Sequence, residues 1–211
     1  KDIFRFYGMS EDKIFLFPLV VDNNKFLIDK KKPSKIFTFL FVGRLIKRKN
    51  IEELIKKYNS YFTNKLSLLK IVGSGPMFEY LYKKYSSEKV IFLNKMTGKK
   101  LVNEYHQADV FLCPSYFEPW GLVVNEALSA SLPVIVRKEV GSSEDLVKNK
   151  NNGFVVNSDS EMLNKMIELY NNPNLVKLFS KNSSDFMREV WNYELYLKCF
   201  SDFLRFIKNK R

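Results

Sequence analysis

The stretch VFLCPSYFEPWGLVVNEALSASLPVIV, Val110–Val136, decides the fold. VFLCP (Val110–Pro114) and PVIV (Pro133–Val136) are short unbroken apolar runs, the pattern of strands buried on both faces. Between them Gly121–Ala130 carries apolar residues at helical spacing, with Pro119 and Gly121 just before it. Two buried strands separated by a helix form a parallel pair, because the crossover returns the chain to the same edge of the sheet.

The alternation extends both ways. Ile36–Gly43, Ser67–Gly73, Val90–Asn94 and Gly153–Val156 read as further strands. Asn50–Tyr61, Met77–Tyr85, Lys99–Gln107 and Ser143–Val147 have helical spacing between them. Right-handed crossovers then give an α/β, Rossmann-like, doubly wound parallel sheet of about six strands. From Asp159 the strands stop and three helices follow, broken at Pro173 and near Trp191. The whole chain, 1–211, reads as a single domain: an entry segment 1–34, a Rossmann-like core 35–157 and C-terminal helices 158–211. Within the entry segment, Lys13–Asp22 is expected to be extended and to join or precede the sheet, and Asn23–Lys35 to be a polar loop.

With 45% apolar and 27% charged residues, the composition is that of a globular chain, and Phe and Tyr are abundant enough to dominate its core. The net charge is +12, with 22 Lys and Arg against 9 Asp and Glu in residues 1–100 but 13 against 14 in residues 101–211. Such a field suits nucleic acid, an acidic membrane or phosphorylated small molecules, though solvated lysines account for most of it. Cys113 and Cys199 form no CxxC, and Cys113 sits in an apolar run, which suits a reducing compartment. No run approaches the ~18 apolar residues of a membrane span, and no signal-peptide pattern opens the chain. These features lead us to expect a cytoplasmic protein. The start KDIFRFYG, without Met, suggests a fragment.

In such a sheet ligands bind at the carboxyl ends of the strands, so the strand-to-helix turns carry the chemistry. In FVGRLIKRKN, Gly43 ends a strand, Arg44 sits at the edge, Lys47–Lys49 follow, and Asn50 stands where it can cap the next helix. Two cations beside a helix N-terminus suit a diphosphate; a solvated basic loop reads equally well. IVGSGP (Ile71–Pro76) reads first as a tight turn and only second as a phosphate cradle. The N–H groups of Leu122 and Val123 open a helix and are free for an anion. Glu118 lies outside that helix end and Glu126 about one and a half turns inside it, flanked by apolar neighbours. A carboxylate in such surroundings needs partners, and the vicinal hydroxyls of a ribose or hexose supply two. In VGSSEDL (Val140–Leu146), Ser142 and Ser143 read as helix caps before sugar or phosphate contacts. His106 reads as structural or exposed, and no HExxH, Cys/His cluster, GxSxG, P-loop or DxD is present.

In this order the pieces resemble the C-terminal, nucleotide-sugar-binding half of a GT-B glycosyltransferase of the retaining family 4 type. The resemblance covers about Phe17–Tyr170 and is most specific in the E-x7-E element with EPWG inside it. It implies that Arg44 and Lys49 bind the donor's diphosphate and stabilise the leaving group, and that Glu118 faces the transferred sugar. Glu126 would hold the ribose, and Trp120, Gly121, Leu122 and Val123 would offer backbone N–H groups. Lys95 and Met96 would lie against the base, and Gly43 and Gly73 would line the donor site. The implied partners are a UDP- or GDP-linked sugar, a glycan or lipid-linked acceptor, and a missing N-terminal GT-B half. The basic first half of the chain adds an expected peripheral contact with an anionic membrane; no specific nucleic acid, cofactor or metal is expected. The expected setting is bacterial polysaccharide or lipid glycosylation. The sequence departs from the family pattern at Asn50 and Ser131, where Gly is usual, and in GSSED, where Asp145 replaces Glu and a Pro is lost. Of the junction motif it keeps only Asp22. A basic α/β module binding nucleic acid is the alternative from composition, though no interleaved aromatic pattern supports it.

Overall fold

The computed structural model describes residues 2–27 and 36–209. Six strands form one sheet: β1 Phe37–Val42, β2 Ser67–Val72, β3 Val90–Leu93, β4 Val110–Cys113, β5 Val134–Arg137 and β6 Gly153–Val156. Their order is β3-β2-β1-β4-β5-β6, and every pairing is parallel. The direction of winding reverses between β1 and β4, which opens a crevice at their carboxyl ends where neither crossover covers the edge.

The crossovers are α2 (Ile51–Phe62), α3 (Phe78–Tyr85), α4 (Gly98–Gln107), α5 (Leu122–Ser129) and the short α6 (Ser143–Leu146). α1 (Asp2–Phe6) precedes them, and α7 (Asp159–Asn171), α8 (Pro173–Glu189) and α9 (Tyr193–Lys208) follow. Each expected core element is present, with ends shifted by one residue or so. Pro173 opens α8, and Asn172 caps it by accepting the Leu175 N–H, so the break falls where the sequence places it.

Side chains alternate across β1. Phe39 and Phe41 enter a core with Tyr58, Phe62 and Phe179, whereas Leu40 and Val42 enter a second core with Phe111, Leu128 and Trp191. Aromatic contacts dominate the first: Phe39 meets Phe62 edge-on at 5.1 Å, and Tyr58 stacks on Phe62 at 5.2 Å. Sheet faces covered on both sides explain why the strands read as continuous apolar runs rather than alternating ones.

Lys13–Asp22 differs from one of its two expected placements. It does not join the sheet. Phe15 packs against Phe203 and Phe206 of α9 at 5.2 and 5.0 Å, and Phe17 against Phe203 at 5.5 Å. The segment's aromatic residues satisfy themselves on the last helix, and Pro18 lacks the N–H that a ladder needs. In the expected loop Asn23–Lys35, Asn23–Lys25 form one 3-10 turn and residues 28–35 lie outside the described residues. Asn23 ties this end down: its Nδ2 donates to the carbonyls of Met187 and Trp191. Among the described residues no helix is long and apolar enough to cross a membrane.

Candidate functional site

The loop after β1 starts the site. Gly43 and Arg44 leave the strand, and Lys47–Lys49 make one 3-10 turn. The turn ends at Asn50 with φ 57°, a left-handed conformation that Gly adopts freely and Asn tolerates through its short polar side chain. Asn50 precedes α2 but does not cap it by its side chain, as its position suggested. Its Nδ2 instead donates to Asp159 Oδ1 at 2.8 Å, so the carboxamide is turned away from the helix N–H groups.

The loop after β2 packs directly on this one. Gly73 has φ 153°, and a Cβ there would lie 1.9 Å from the Gly43 carbonyl oxygen. Leu45 N–H donates to Ser74 O at 2.9 Å, and Met77 N–H to Leu45 O at 3.1 Å. The glycines are thus required for two backbones to touch, which is the tight-turn reading. The same close approach leaves a cavity of about 550 Å³, floored by Val42 and Val72 and bordered by Gly43, Arg44, Gly73, Lys95 and Met96. Five residues expected in the donor site therefore meet here. Lys95 and Met96 also border a second hollow of about 580 Å³ that runs over Thr97, Lys99 and Lys100 at the start of α4.

Lys49 does not line that cavity. It is 9% exposed and turns inward to an ion pair with Glu118 Oε2. Arg48 Nη1 stands 3.7 Å from the same oxygen and donates to Phe117 O at 2.8 Å. Two cations on one carboxylate keep it anchored despite partial burial. The backbone of Glu118 is held as well: its N–H donates to Glu139 O at 3.2 Å, and Gly141 N–H donates to its carbonyl at 2.8 Å.

Glu118 leads into α5 through Gly121, whose φ is 93°. A Cβ at Gly121 would come 3.1 Å from Glu118 Cγ and 3.2 Å from Val140 Cγ1, so this position admits no side chain without displacing the glutamate. No side chain caps α5, so the N–H groups at Leu122 and Val123 have no side-chain partner at the helix start. Leu122 is exposed and Val123 half-buried. The Trp120 indole faces inward: it stacks on Trp191 at 5.8 Å and donates to Asn125 Oδ1 at 2.9 Å.

Glu126 is half-buried on α5 and is not brought to Glu118 by any direct bond; each glutamate has its own partner. Tyr105 Oη, fully buried on α4, donates to Glu126 Oε2 at 2.7 Å. Burial pushes the Glu126 carboxyl above its ordinary range, and the Tyr105 hydrogen bond partly opposes this. Burial next to this carboxylate likewise raises the Tyr105 phenol well above its usual value.

Other sequence expectations resolve as follows. Ser142 and Ser143 do not cap α6 through their side chains. Ser143 Oγ donates to Lys138 O at 3.3 Å, and Ser142 Oγ is buried without a hydrogen-bond partner among the described residues. Ser131, another position where Gly is usual, has φ 59°. His106 Nε2 lies 2.8 Å from Phe26 O, a structural contact. Cys113 is a buried free thiol. Among the described residues no group of three or more His, Cys, Asp or Glu is arranged to hold a metal.

Sequence reasoning missed Tyr105, Tyr116, Arg137 and Asp159. Tyr105 falls on the buried face of a helix read only for His106. Arg137 and Asp159 carry no motif and meet only because β5 ends, and α7 begins, at the same edge.

The family model for Glycosyl transferases group 1 matches residues 22–186. Alpha-monoglucosyldiacylglycerol synthase of Acholeplasma laidlawii is 32% identical over 167 residues, 77% of this chain and 42% of that protein. Sucrose-phosphate synthase from Thermosynechococcus elongatus superposes with a TM-score of 0.79 at 24% identity, over 92% of this chain and 53% of that one. Anabaena Alr3699/HepE, solved in complex with UDP and glucose, superposes with a TM-score of 0.73 at 18% identity, over 88% and 55%. At these identities the structural likeness is one of fold. The chain spans about half the length, or less, of the curated relatives it matches.

Proposed function

The chain belongs to the group 1 glycosyl transferases, and from that premise we propose that it is the C-terminal, donor-binding half of a retaining, family 4-type glycosyltransferase. Its substrate is a UDP- or GDP-linked sugar, and the acceptor is a glycan or a lipid-linked molecule. One observation carries this reading: Arg44 and Lys95 border an apolar-floored cavity of about 550 Å³ beside the switch point, where an α/β sheet takes its ligands. That volume suits a nucleotide, with the base against Lys95 and Met96 and the diphosphate toward Arg44.

The remaining roles follow from chemistry. Lys49, with Arg44, offsets the charge that grows on the departing diphosphate, which needs fixed cations rather than a metal. For Lys49 to do so, the donor's phosphates must compete with Glu118 for its ammonium. Glu118 then turns to hydroxyls of the sugar, and the N–H groups of Trp120 to Val123 receive sugar or phosphate oxygens. Glu126 accepts from the ribose through the lone pairs that Tyr105 leaves open.

The acceptor binds in a cleft closed by a second, N-terminal half. Tyr193, Leu197, Phe200 and Leu204 of α9 are exposed, and α9 buries no residue fully, which supports an apolar surface awaiting that half. The basic residues 1–100 support peripheral contact with anionic lipid at the inner face of a membrane, since each nearby cation adds about 1 kcal/mol. Liposome sedimentation with no preference for anionic lipid would remove the membrane contact.

The deciding experiment is calorimetric titration of the chain with UDP, GDP and ADP, repeated on Glu126→Ala. Binding of one diphosphate by the parent and its loss in the variant is the expected result. Equal binding by parent and variant removes Glu126 from the site, and no binding by either removes the donor-site reading for this chain.

A further inference from the structure

The geometry points to Asp159 as a positioning residue that fixes Lys49 and Glu118 against one another. The assignment of those two residues rests on the proposed function; the clamp itself does not. An acidic residue in the first turn of a helix needs no partner, since the helix dipole already favours it. Asp159 opens α7, yet its carboxylate is taken up by two loops and the end of β5. Asn50 Nδ2 and Arg137 Nη1 donate to Oδ1 at 2.8 and 2.9 Å, and the Tyr116 hydroxyl donates to Oδ2 at 3.2 Å.

Each bond reaches one step from a site residue. Asn50 follows Lys49 and holds the left-handed turn that directs Lys49 inward. Tyr116 stands two residues before Glu118, and its N–H donates to Arg48 O at 2.9 Å, which ties the two loops to each other. Arg137 lies over the Tyr116 ring at 4.9 Å and also grips Glu139 through Nε and Nη2 at 3.1 and 3.3 Å. The backbone carbonyl of Glu139 is the one that accepts from Glu118 N–H. The loops after β1, β4 and β5 thus converge on one carboxylate and on the guanidinium of Arg137, a residue only 7% exposed. A charge-assisted centre of this kind is geometrically stiff, and stiffness in the supporting groups is what holds a reacting pair in register.

The test has one readout that needs no ligand. The amine of Lys49 is acetylated with a water-soluble reagent and its rate is read by peptide mass spectrometry. Lys70 serves as internal reference, because it is similarly covered, pairs with Glu104 and Gln107, and does not touch the cluster. Asp159→Ala is expected to raise Lys49 labelling about tenfold with Lys70 unchanged, the scale of one lost charge-assisted hydrogen bond. Asp159→Asn keeps an acceptor for Asn50 and Arg137 and is expected to fall between. Tyr116→Phe removes a single bond and provides a milder variant should Asp159→Ala fail to fold; a smaller rise at Lys49 alone is expected. Unchanged Lys49 labelling in folded variants, or Lys49 and Lys70 rising together, overturns the clamp.

The second readout is calorimetric binding of a nucleoside diphosphate and of its sugar-bearing form. Asp159→Ala is expected to weaken the sugar-bearing form more than the free diphosphate. If Glu126→Ala loses the diphosphate while Asp159→Ala binds both as the parent does, the positioning role fails and the donor site stands. If the parent binds neither, the donor site fails, and the labelling result alone decides whether Asp159 holds the two loops.

Discussion

Tyr105 Oη and Glu126 Oε2 lie 2.7 Å apart, a hydrogen bond that joins α4 to α5 beneath the crevice. The phenol is fully buried between Phe26 and Phe111, at ring distances of 5.7 and 5.9 Å, so it has little freedom to release the carboxylate. One oxygen of Glu126 is therefore aimed by the protein, and on the proposed function the other accepts from the ribose. Tyr105→Phe keeps the ring packing and removes only the donor. Leaving a half-buried carboxylate short of a donor is expected to cost about 1–2 kcal/mol. Denaturant unfolding measures this, and a stability equal to the parent's removes the bond from the account.

The raised carboxyl of Glu126 predicts two pH effects of opposite sense. Folding favours its protonated form, so the stability it contributes is complete below the ordinary carboxylate value and is lost as pH rises through the folded-state value. A ribose held by the ionised carboxylate behaves the other way, with affinity falling as pH drops through that raised value. Subtracting the profile of Glu126→Gln removes the titration of the diphosphate and of other carboxylates. A difference profile flat between neutral pH and the ordinary carboxylate range contradicts the assignment.

Gly73 tests the packing of the first two loops. A methyl group there would sit 1.9 Å from a backbone oxygen, at a φ that residues with side chains seldom adopt. Backbone must move for Gly73→Ala to fold, at an expected cost of at least about 2 kcal/mol, or about 4–8 °C in Tm for a chain of this size. Because Gly43 is the residue displaced, nucleotide affinity is expected to fall with it. A thermal scan that matches the parent's would mean the loops can separate freely.

The sheet was legible because its central strands β1, β4 and β5 are buried on both faces and all six are bounded by turn residues, so that even β2, with its half-buried Lys70, and the partly buried edge strand β3 stand out as largely apolar runs. The three C-terminal helices were legible for a similar reason: Pro173 and Trp191–Asn192 interrupt a continuous 3.6-residue period. Lys13–Asp22 was ambiguous because an extended apolar segment looks alike whether it pairs in a sheet or lies on a helix, and only Phe203 and Phe206, nearly two hundred residues on, decide it. Among the candidate residues, Glu118, Glu126 and Arg44 stood out by their places at strand and helix ends, whereas Lys49 was singled out from its basic loop only by the family resemblance. Their partners were not visible. Tyr105, Arg137 and Asp159 act through hydrogen bonds across elements, which depend on where strand and helix ends meet in space. The capping expected of Asn50, Ser142 and Ser143 failed because a cap must accept from a helix N–H: Asn50 and Ser143 instead donate, to Asp159 and to the Lys138 carbonyl, and Ser142 Oγ meets no partner among the described residues.

The ion pair of Lys49 and Glu118 yields the last prediction. Their side chains are 11% and 13% exposed, so each has given up most of its water for the other. Removing one partner strands a charge, and Lys49→Met alone is expected to cost about 3 kcal/mol, somewhat offset by Arg48 remaining near Glu118. Glu118→Gln leaves the ammonium facing an amide oxygen and is expected to cost less. The double variant removes both charges at once, so it is expected to be more stable than the sum of the single losses predicts. Denaturant unfolding of the four proteins closes this cycle. Binding separates the roles further: Glu118→Gln frees Lys49 for phosphate and is expected to keep or strengthen the free diphosphate while weakening the sugar-bearing donor, whereas Lys49→Met weakens both. Additive stabilities would show the pair to be incidental, and equal losses of both ligands in the two single variants would contradict the division of labour between them.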